Sequence, residues 1–297
     1  MQPKLTILIL VYSDVPDGIR LYKQLTSEIQ TNKIKLLVID NDCTEKELLR
    51  SVVPEESILV NSKNLGYAGG NNAGIKYCLK QGGEYLMVLN PDIEISIKTI
   101  ESLLETLDKN PDAAFVGPRI CFRNDRKKIY SDGGKVEPQR AYRVSHINSY
   151  DNAEKLHPGL LECDYMNGSA IIGRIEAIRK FGVLRDEFFI YFEETEWCLR
   201  AKDYGYKVLV DTDQVAYHLS SPKGAKYQFL MRRNKLWMAK IRRKYVLKTC
   251  FDSLWRVIRL SLSSKPHKKA HWLGLLHGVV YSAKDHSISN PTFFKIR

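Results

Sequence analysis

The chain has 297 residues, 44% of them hydrophobic and 27% charged, so it can bury a full core as one large α/β domain with an appendage or as two small domains. Its six cysteines stand alone, which favours reduced core thiols in a cytosolic setting over a disulfide framework. No stretch approaches the roughly 20 apolar residues that a membrane-spanning helix needs. The opening "MQPKLTILILVYSD" lacks a small-residue cleavage site, so we expect a first strand there rather than a signal peptide.

The charge is unevenly distributed along the chain. Residues 223–297 contain 18 Lys and Arg but only 2 Asp and Glu, a net charge of +16, whereas the preceding 222 residues carry a net charge of −4. In residues 227–262 apolar and basic side chains interleave at helical spacing, as in an amphipathic helix at a membrane interface, and the apolar patch at 271–283 is too short to span a bilayer. A nucleic-acid-binding surface would carry fewer apolar residues. Alternatively, part of this pattern comes from helices that pack their apolar side chains in the core and expose their cationic faces to solvent.

Strand and helix patterns alternate at short spacing through the first 120 residues. Apolar runs typical of buried strands occupy residues 5–12, 34–40, 57–61, 84–90 and 113–117. Helical patterns lie between them at residues 16–29, 44–52, 70–80 and 96–109. Continuous apolar strands separated by helices predict a mostly parallel sheet with helices on both faces, an α/β fold.

The second half of the chain is less regular. Residues 119–160 are polar and rich in turns, and they predict a flexible excursion with short strands. Further strands are expected at residues 163–173, 207–211 and 215–219. Further helices are expected at residues 174–181, 193–204 and 227–262.

Polar side chains follow the predicted strands at their carboxyl ends, where ligands bind in parallel sheets. They include Tyr12, Asp40 and the segment Asn90-Pro91-Asp92. A carboxylate at a strand end, beside a second oxygen ligand, suits a Mg²⁺ or Mn²⁺ ion that bridges a diphosphate. An Asn-Pro turn that only leaves the sheet has the same sequence, so this motif alone leaves both interpretations open.

A glycine cluster, "NLGYAGGNNAGIKY" at residues 64–77, opens the helix after the third strand. Gly66, Gly69 and Gly70 would let the backbone approach a ligand, and a helix N-terminus favours an anion. The cluster is neither a GxGxxG dinucleotide motif nor a P-loop. A tight turn with close helix–strand packing is the alternative.

Three acids lie close together in "YFEETEWCLR", residues 191–200. Glu194 lies three and four residues before Trp197 and Cys198, which places it on the apolar stripe of the predicted helix. Burial there would raise its pKa and suit it to accept a proton. Helix-dipole stabilisation is a sufficient explanation for Glu193. His218 ends the last strand-like run and is either a ligand or a packing residue.

Taken together and in order, these segments resemble the inverting glycosyltransferases of family 2, which have the GT-A fold, and within them the bacterial rhamnosyltransferases of O-antigen and capsule synthesis. The resemblance runs from about Leu5 to Tyr245. It is carried by "ILILVYSD", "LLVIDNDCTE", "NSKNLGYAGGNNAGI", "MVLNPDIEI", "MNGSAIIGR", "FFIYFEETEWCLRAKDYGY" and "YHLSSPK…RRN". It implies a catalytic domain at residues 1–222, with a nucleotide-binding half (1–118) and an acceptor half (119–222), followed by a helical region at 223–297.

The resemblance also implies roles for single residues. Those that would bind the nucleotide and the donor are Tyr12, Asp40, Asn64, Gly66, Gly70, Asn90 and Asp92. Asp92 would hold a divalent cation, Mn²⁺ or Mg²⁺, with His218 as a further ligand. Gly168 and Ser169 would lie on the side of the acceptor and the donor sugar. Glu194 matches the catalytic base, but this chain has Glu-Glu where Glu-Asp is commoner, which keeps Glu193 as the alternative.

The implied reaction is a hexosyl transfer by single displacement. Glu194 would remove the proton of an acceptor hydroxyl, whose oxygen attacks the anomeric carbon opposite the leaving nucleoside diphosphate. The expected partners are a UDP- or dTDP-sugar, a glycan or polyprenyl-diphosphate-linked acceptor, and an anionic membrane surface on the inner face of the plasma membrane; no nucleic acid is expected. The branch favours rhamnose, and galactose, glucose or N-acetylglucosamine transfer stays open.

Two other classes are disfavoured by the sequence. A nucleotidyltransferase would normally have a glycine-rich loop with Lys or Arg directly after the first strand, and "VYSDVPDG" offers none. A non-catalytic membrane-binding or nucleic-acid-binding protein would leave the acids at the strand ends unexplained.

Overall fold

The computed structural model describes residues 2–219 and 223–281. Its strands are Leu5–Val11 (β1), Ile34–Asp40 (β2), Ile58–Val60 (β3), Tyr85–Leu89 (β4), Ala113–Phe122 (β5), Asp125–Ser131 (β6), Gly134–Glu137 (β7), Arg143–His146 (β8), Leu160–Glu162 (β9), Ala170–Arg174 (β10) and Lys207–His218 (β11). Its helices are Val15–Glu28 (α1), Lys46–Arg50 (α2), Gly66–Gln81 (α3), Ile97–Lys109 (α4), Ile175–Phe181 (α5), Glu193–Asp203 (α6), Ala225–Arg242 (α7), Val246–Ser261 (α8) and Lys268–Val280 (α9).

One large sheet forms the centre of the fold, in the order β3-β2-β1-β4-β10-β5-β11-β9 with β6 beside β5. Strands β1 to β4 are parallel, and β11 is parallel to β5. Alternate residues of β1 enter two different cores, Ile7 and Ile9 on one face and Leu8 and Leu10 on the other. Both faces are therefore covered, and the predicted mostly parallel α/β sheet is confirmed.

The antiparallel strand β10 brings a turn to the carboxyl edge of the parallel strands. It lies between β4 and β5 and runs opposite to both, so its first residue, Ala170, pairs with Leu89 at the end of β4. The backbone N–H of Asn90 donates to the carbonyl of Ser169 at 3.0 Å. The last residues of β11 reach the same edge, where Glu94 N donates to Tyr217 O at 2.9 Å.

Several expected boundaries differ from the structure. The strand expected over 163–173 is confined to β10, because the residues before it turn and Ser169 N donates to Asn167 Oδ1 at 2.9 Å. The strands expected at 207–211 and 215–219 are one strand, β11, whose pairing shifts between Asp211 and Val215. The glycine-rich helix α3 begins at Gly66 rather than at residue 70.

The helix expected over residues 227–262 is wrong as a single element. It is interrupted at Arg243 and Tyr245, which have φ angles of 51° and 55° and separate α7 from α8. The part of the apolar patch 271–283 beyond residue 281 lies outside the described residues. Helix α9 approaches α7 closely, since a Cβ on Gly278 would lie 2.5 Å from Leu236 Cδ1.

The C-terminal helices pack on the body of the protein through α7. The buried Asn234 side chain donates through Nδ2 to the carbonyls of Phe188 at 3.1 Å, Ile190 at 2.9 Å and Tyr191 at 2.7 Å. These carbonyls belong to the segment directly before α6. Helix α7 is thereby fixed against the loop that leads to the paired glutamates.

Candidate active site

A cavity of about 480 Å³ opens at the carboxyl edge of the parallel strands. The predicted residues that line it are Tyr12, Asn64, Gly66, Asn90, Asp92 and His218. The segment before α6 and the first turn of α7 line it as well, with Tyr191, Lys226 and Tyr227. The sheet edge thus brings together most of the side chains that the sequence assigned to the nucleotide and the cation.

Asp92 and His218 form an ion-pairing contact in this cavity. Nε2 of His218 lies 3.1 Å from Asp92 Oδ1 and 3.1 Å from Asn90 Nδ2. Burial alone would raise the pKa of Asp92, but the hydrogen bond and charge of His218, with a smaller effect of Arg123, outweigh it and lower the pKa. Asp92 is therefore a carboxylate at neutral pH.

The side chains of Asp92 and His218 offer ligand atoms that fit a divalent cation at a nucleotide site. Within residues 2–219 and 223–281 no group of three or more His, Cys, Asp or Glu side chains is placed to hold a metal ion. A carboxylate oxygen and an imidazole nitrogen nevertheless suit Mn²⁺. Cations of this kind usually take one or two protein carboxylates and complete their coordination with phosphate oxygens and water.

The glycine loop is held by Asn41, whose role the sequence did not reveal. Its Oδ1 accepts from Asn61 Nδ2 and from Leu65 N, both at 3.1 Å, and its Nδ2 donates to Gly66 O at 3.1 Å. Gly66 has a φ of 72°, and a Cβ there would lie 2.3 Å from Phe189 O. Only glycine fits this position, where α3 begins beside the loop before α6.

Two residues predicted to bind the nucleotide and the donor sugar, Asp40 and Gly70, lie behind the wall of the cavity and do not line it. Asp40 is fully buried; its Oδ1 accepts from Cys43 N at 2.8 Å and its Oδ2 lies 3.6 Å from Arg50 Nη2. A Cβ on Gly70 would lie 2.6 Å from Leu10 Cδ1, so this glycine allows α3 to pack on the sheet. Asp40 shapes the turn that lines a neighbouring cavity of about 520 Å³, which also includes Tyr12.

The paired glutamates begin α6. Glu193 is buried, and Glu194 is half-buried. Burial, together with the charge of Glu194, raises the pKa of Glu193 well above its usual range. Burial raises the pKa of Glu194 to about 7, although backbone N–H groups at the start of the helix act in the opposite direction. One oxygen of each carboxyl group, Oε2, has no hydrogen-bond partner among the described residues.

Glu194 lies beside the turn that carries Gly168. A Cβ on Gly168 would lie 3.7 Å from the Cβ of Glu194 and 3.1 Å from the hydroxyl of Tyr67. That hydroxyl donates to the carbonyl of Gly168, and Tyr67 itself lines the cavity. Ser169 is buried and joins the same turn to Asn90. The turn therefore connects the candidate base with the strand end that carries Asp92.

Sequence reasoning missed the aromatic and cationic residues that face the strand ends. Tyr227 on α7 packs edge-on against Tyr191, with ring centroids 5.0 Å apart. Lys226 Nζ lies 5.2 Å from the ring centroid of Phe189. The sequence assigned this part of the chain to a membrane surface, and no motif marked its first turn as part of a cavity. Tyr67 had one signal, an aromatic residue inside the glycine cluster.

The fold is that of GT-A glycosyltransferases. A solved structure of the mannosyltransferase PcManGT from Pyrobaculum calidifontis, in complex with GDP-Man and Mn²⁺, superposes with a TM-score of 0.59 at 11% identity over 94% of this chain and 88% of that chain. Residues 16–180 match the family model of glycosyl transferase family 2. This match covers more than half of the chain, so the protein belongs to glycosyltransferase family 2.

Curated relatives give the activity of this branch. The chain is 26% identical over 296 residues to the low-salt glycan biosynthesis hexosyltransferase Agl10 of Haloferax volcanii, covering 94% of this chain and 92% of the relative. It is 26% identical over 208 residues to the dTDP-rhamnosyl transferase RfbF of Shigella flexneri, with 68% and 65% covered. It is 23% identical over 246 residues to the N-acetylglucosaminyl-diphospho-decaprenol L-rhamnosyltransferase of Mycobacterium tuberculosis, with 75% and 79% covered. The protein is a glycosyltransferase with rhamnosyltransferase-like relatives, as the motifs predicted.

Proposed function

We propose that the protein transfers a sugar, with rhamnose as the first donor to test, from a nucleoside diphosphate to a hydroxyl group of a glycan or lipid-linked acceptor, with inversion at the anomeric carbon. One observation carries the proposal. The turn at Gly168 and Ser169 lies beside Glu194, since a Cβ on Gly168 would be 3.7 Å from the Cβ of Glu194, and it hydrogen-bonds to the strand end that carries Asp92. One turn thus lies beside both a base with a raised pKa and the strand end of a carboxylate that is kept ionised, although Glu194 is not one of the residues that line the cavity.

The chain's own residues supply the steps of a single displacement. Asp92 and His218 would hold a divalent cation, which supplies positive charge to the leaving diphosphate. Asn64, Gly66 and Tyr12 line the cavity in which the nucleotide binds. The Glu194 carboxylate takes the proton of the acceptor hydroxyl as that hydroxyl attacks the anomeric carbon. Glu194 is preferred to Glu193, which is almost completely buried.

The names of the relatives support the choice of donor and acceptor. The Shigella relative is named for a dTDP-rhamnosyl donor, and the mycobacterial relative for a diphospho-decaprenol acceptor. A UDP-sugar, and galactose, glucose or N-acetylglucosamine as the sugar, are the alternatives within the same mechanism. By this proposal the product enters a cell-surface polysaccharide such as O-antigen or capsule.

We also propose that the helices α8 and α9 bind the anionic inner face of the plasma membrane. No helix in the described part of the chain is both long and apolar enough to cross a bilayer. Large apolar side chains recur along exposed helix faces: Leu247, Phe251, Trp255, Leu262, Trp272 and Leu276. Exposed cations such as Lys244, Lys248 and Arg259 lie among them. Apolar insertion combined with attraction to anionic lipid is the usual basis of peripheral binding.

Isothermal titration with dTDP and UDP, with and without Mn²⁺, tests the proposed function. Binding of a nucleoside diphosphate that is strengthened by the cation supports it. A protein that binds neither nucleotide under either condition would instead be a membrane-binding module.

A further inference from the structure

A cluster of cationic side chains lies where α7, α8 and α9 meet, outside the cavity described above. Arg232 and Lys235 are one turn apart on α7, and Arg256 is on α8. Leu236 of α7, Val257 of α8 and Leu275 of α9 form one buried cluster between the three helices, and the charge of Arg256 helps to lower the pKa of Arg232, Lys235 and His271. Helix α9 packs directly on the first of them, since a Cβ on Gly274 would lie 2.9 Å from Arg232 Cβ.

This cationic cluster lacks an anion. Among residues 2–219 and 223–281, no ion pair or side-chain hydrogen bond of Arg232, Lys235 or Arg256 is formed. Arg232 is only 8% exposed, and its Nε is a buried donor without a partner. His271 is 7% exposed, and its Nδ1 is likewise without a partner. Buried polar groups are normally satisfied, so a ligand is the simplest partner for this site.

The surrounding charges do not neutralise the cluster. Asp252 is the one acid among the groups that act on Lys235, and it already lies 3.5 Å from Lys248. Burial, and then the charge of Arg256, lowers the pKa of Arg232 to about 10. Burial and the neighbouring arginines lower the pKa of Lys235 to about 8. Burial is the larger cause of both shifts, and the neighbouring cations add to it.

The cationic cluster has neighbours both in the active-site cavity and among the exposed apolar side chains of α8. Arg256 also acts on Tyr227, which lines the active-site cavity. Tyr227 and Lys235 are eight residues apart on α7, about 12 Å along the helix axis, and their side chains leave the helix about 80° apart, whereas Arg232 leaves it about 140° from Tyr227. Trp255, next to Arg256 on α8, is 57% exposed and belongs to the apolar face. Lys235 and Arg256 therefore lie on the side of the cluster nearer the cavity, and the exposed Arg256 is reachable from a membrane surface.

We propose that Arg232, Lys235 and Arg256 bind the diphosphate group of a lipid-linked acceptor. Guanidinium groups pair bidentately with phosphate oxygens, and three cations match the charge of a diphosphate better than that of a single lipid headgroup phosphate. The lipid chain then lies in the bilayer beside α8, while the sugar on the other side of the diphosphate extends toward Tyr227. This inference rests on the proposed function, because it presumes an acceptor that is glycosylated in the neighbouring cavity.

Vesicle binding by the full-length protein tests the cluster. The probes are phosphatidylcholine vesicles containing a polyprenyl diphosphate, and phosphatidylcholine vesicles brought to the same surface charge with phosphatidylglycerol. The wild type should prefer the diphosphate vesicles, and Arg232→Gln with Arg256→Gln should reduce that preference about tenfold or more. The matched control is Arg259→Gln, which removes an exposed cation from the same helix and should keep the preference.

Three results would overturn the inference. Equal binding of the wild type to both kinds of vesicle would mean general attraction to anionic lipid. An unchanged preference in the double variant would place the diphosphate elsewhere. Competition by inorganic pyrophosphate without any vesicle preference would indicate a site for free phosphate anions.

Thermal denaturation separates ligand binding from a structural role of Arg232. In buffer without phosphate, Arg232→Gln should raise the melting temperature, because it removes a buried cation that has no partner. Pyrophosphate should stabilise the wild type more than this variant. A lower melting temperature of the variant, with no effect of pyrophosphate on the wild type, would make the arginine structural and contradict the inference. Nucleoside diphosphate binding by the wild type is measured separately, so failure of the proposed function is distinguishable.

Discussion

Nε2 of His218 lies 3.1 Å from Oδ1 of Asp92, although His218 is the last residue of β11 and Asp92 follows β4. The contact exists because β11 ends beside the exit of β4, where Glu94 N donates to Tyr217 O. His218 keeps the pKa of Asp92 low although the carboxyl group is largely buried. The result is a negative charge with an adjacent imidazole at the edge of the cavity.

Removal of this carboxylate should remove the effect of the cation on nucleotide binding. We expect Asp92→Ala to weaken the Mn²⁺-dependent affinity for dTDP or UDP about tenfold or more, because a cation–carboxylate contact is lost. Isothermal titration measures the change. Asp125→Ala, an exposed acid outside the cavity, is the control. If Asp92→Ala binds nucleotide with undiminished dependence on Mn²⁺, the cation is held elsewhere.

The rate of transfer should depend on pH through Glu194. The pKa of this residue is raised to about 7, and a base acts only when deprotonated, so kcat should fall about tenfold per pH unit as the pH drops well below 7. The measurement is kcat at saturating donor and acceptor from pH 5 to 9. A rate that stays constant down to pH 5 would show that no group with this pKa is required.

The raised pKa of Glu194 also predicts how the stability of the protein depends on pH. The pKa of Glu194 is higher in the folded protein than its ordinary value of 4.5, so its contribution to folding is complete below pH 4.5 and is lost as the pH rises to about 7. Glu194→Gln cannot ionise and should therefore stabilise the protein by about 1–3 kcal/mol at pH 8, with little effect at pH 4.5. Chemical denaturation at both pH values measures this. Destabilisation at pH 8 would mean that the carboxylate makes favourable contacts.

Membrane binding should depend on the apolar face of α8. Trp255→Gln should weaken binding to anionic vesicles several-fold, because burial of a large aromatic side chain in the interface is lost. Tyr204→Gln is a matched control, since Tyr204 has the same 57% exposure but lies at the end of α6. Cosedimentation at increasing salt is the measurement. Equal binding of the wild type to neutral vesicles at high salt would exclude the electrostatic part of this surface.

The sequence predicted the parts of the fold that follow from continuous apolar strands. Strands β1, β2 and β4 lie where expected, because each is buried on both faces and its sequence is therefore a continuous apolar run. The helix pair α7 and α8 could not be separated, because the apolar and basic pattern continues through the break at Arg243 and Tyr245. The break depends on positive φ angles at Arg243 and Tyr245, and the residue types Arg and Tyr do not predict such angles.

The residues of the candidate site that could be predicted are those whose side-chain chemistry suggests a role, such as a carboxylate that binds a metal ion or accepts a proton. Asp92 and Glu194 were named from their residue type and position, whereas Asn41 and Tyr227 were not. Asn41 acts through hydrogen bonds to three loop residues, and such partners are visible only after folding. Tyr227 reaches the cavity because Asn234 fixes α7 to the segment before α6. The division of the chain at residue 222 stays a prediction.

Transfer by the wild type and by Glu194→Gln is the most direct test of the proposed mechanism. Both proteins are incubated with Mn²⁺, a polyprenyl-diphosphate-linked acceptor, and dTDP-rhamnose or a UDP-hexose, and nucleoside diphosphate release and the anomeric configuration of the glycan are followed. We expect inversion by the wild type and a kcat about 10²–10⁴ lower in Glu194→Gln, with nucleotide affinity retained. Transfer with retention of configuration, or an undiminished rate in Glu194→Gln, would contradict it.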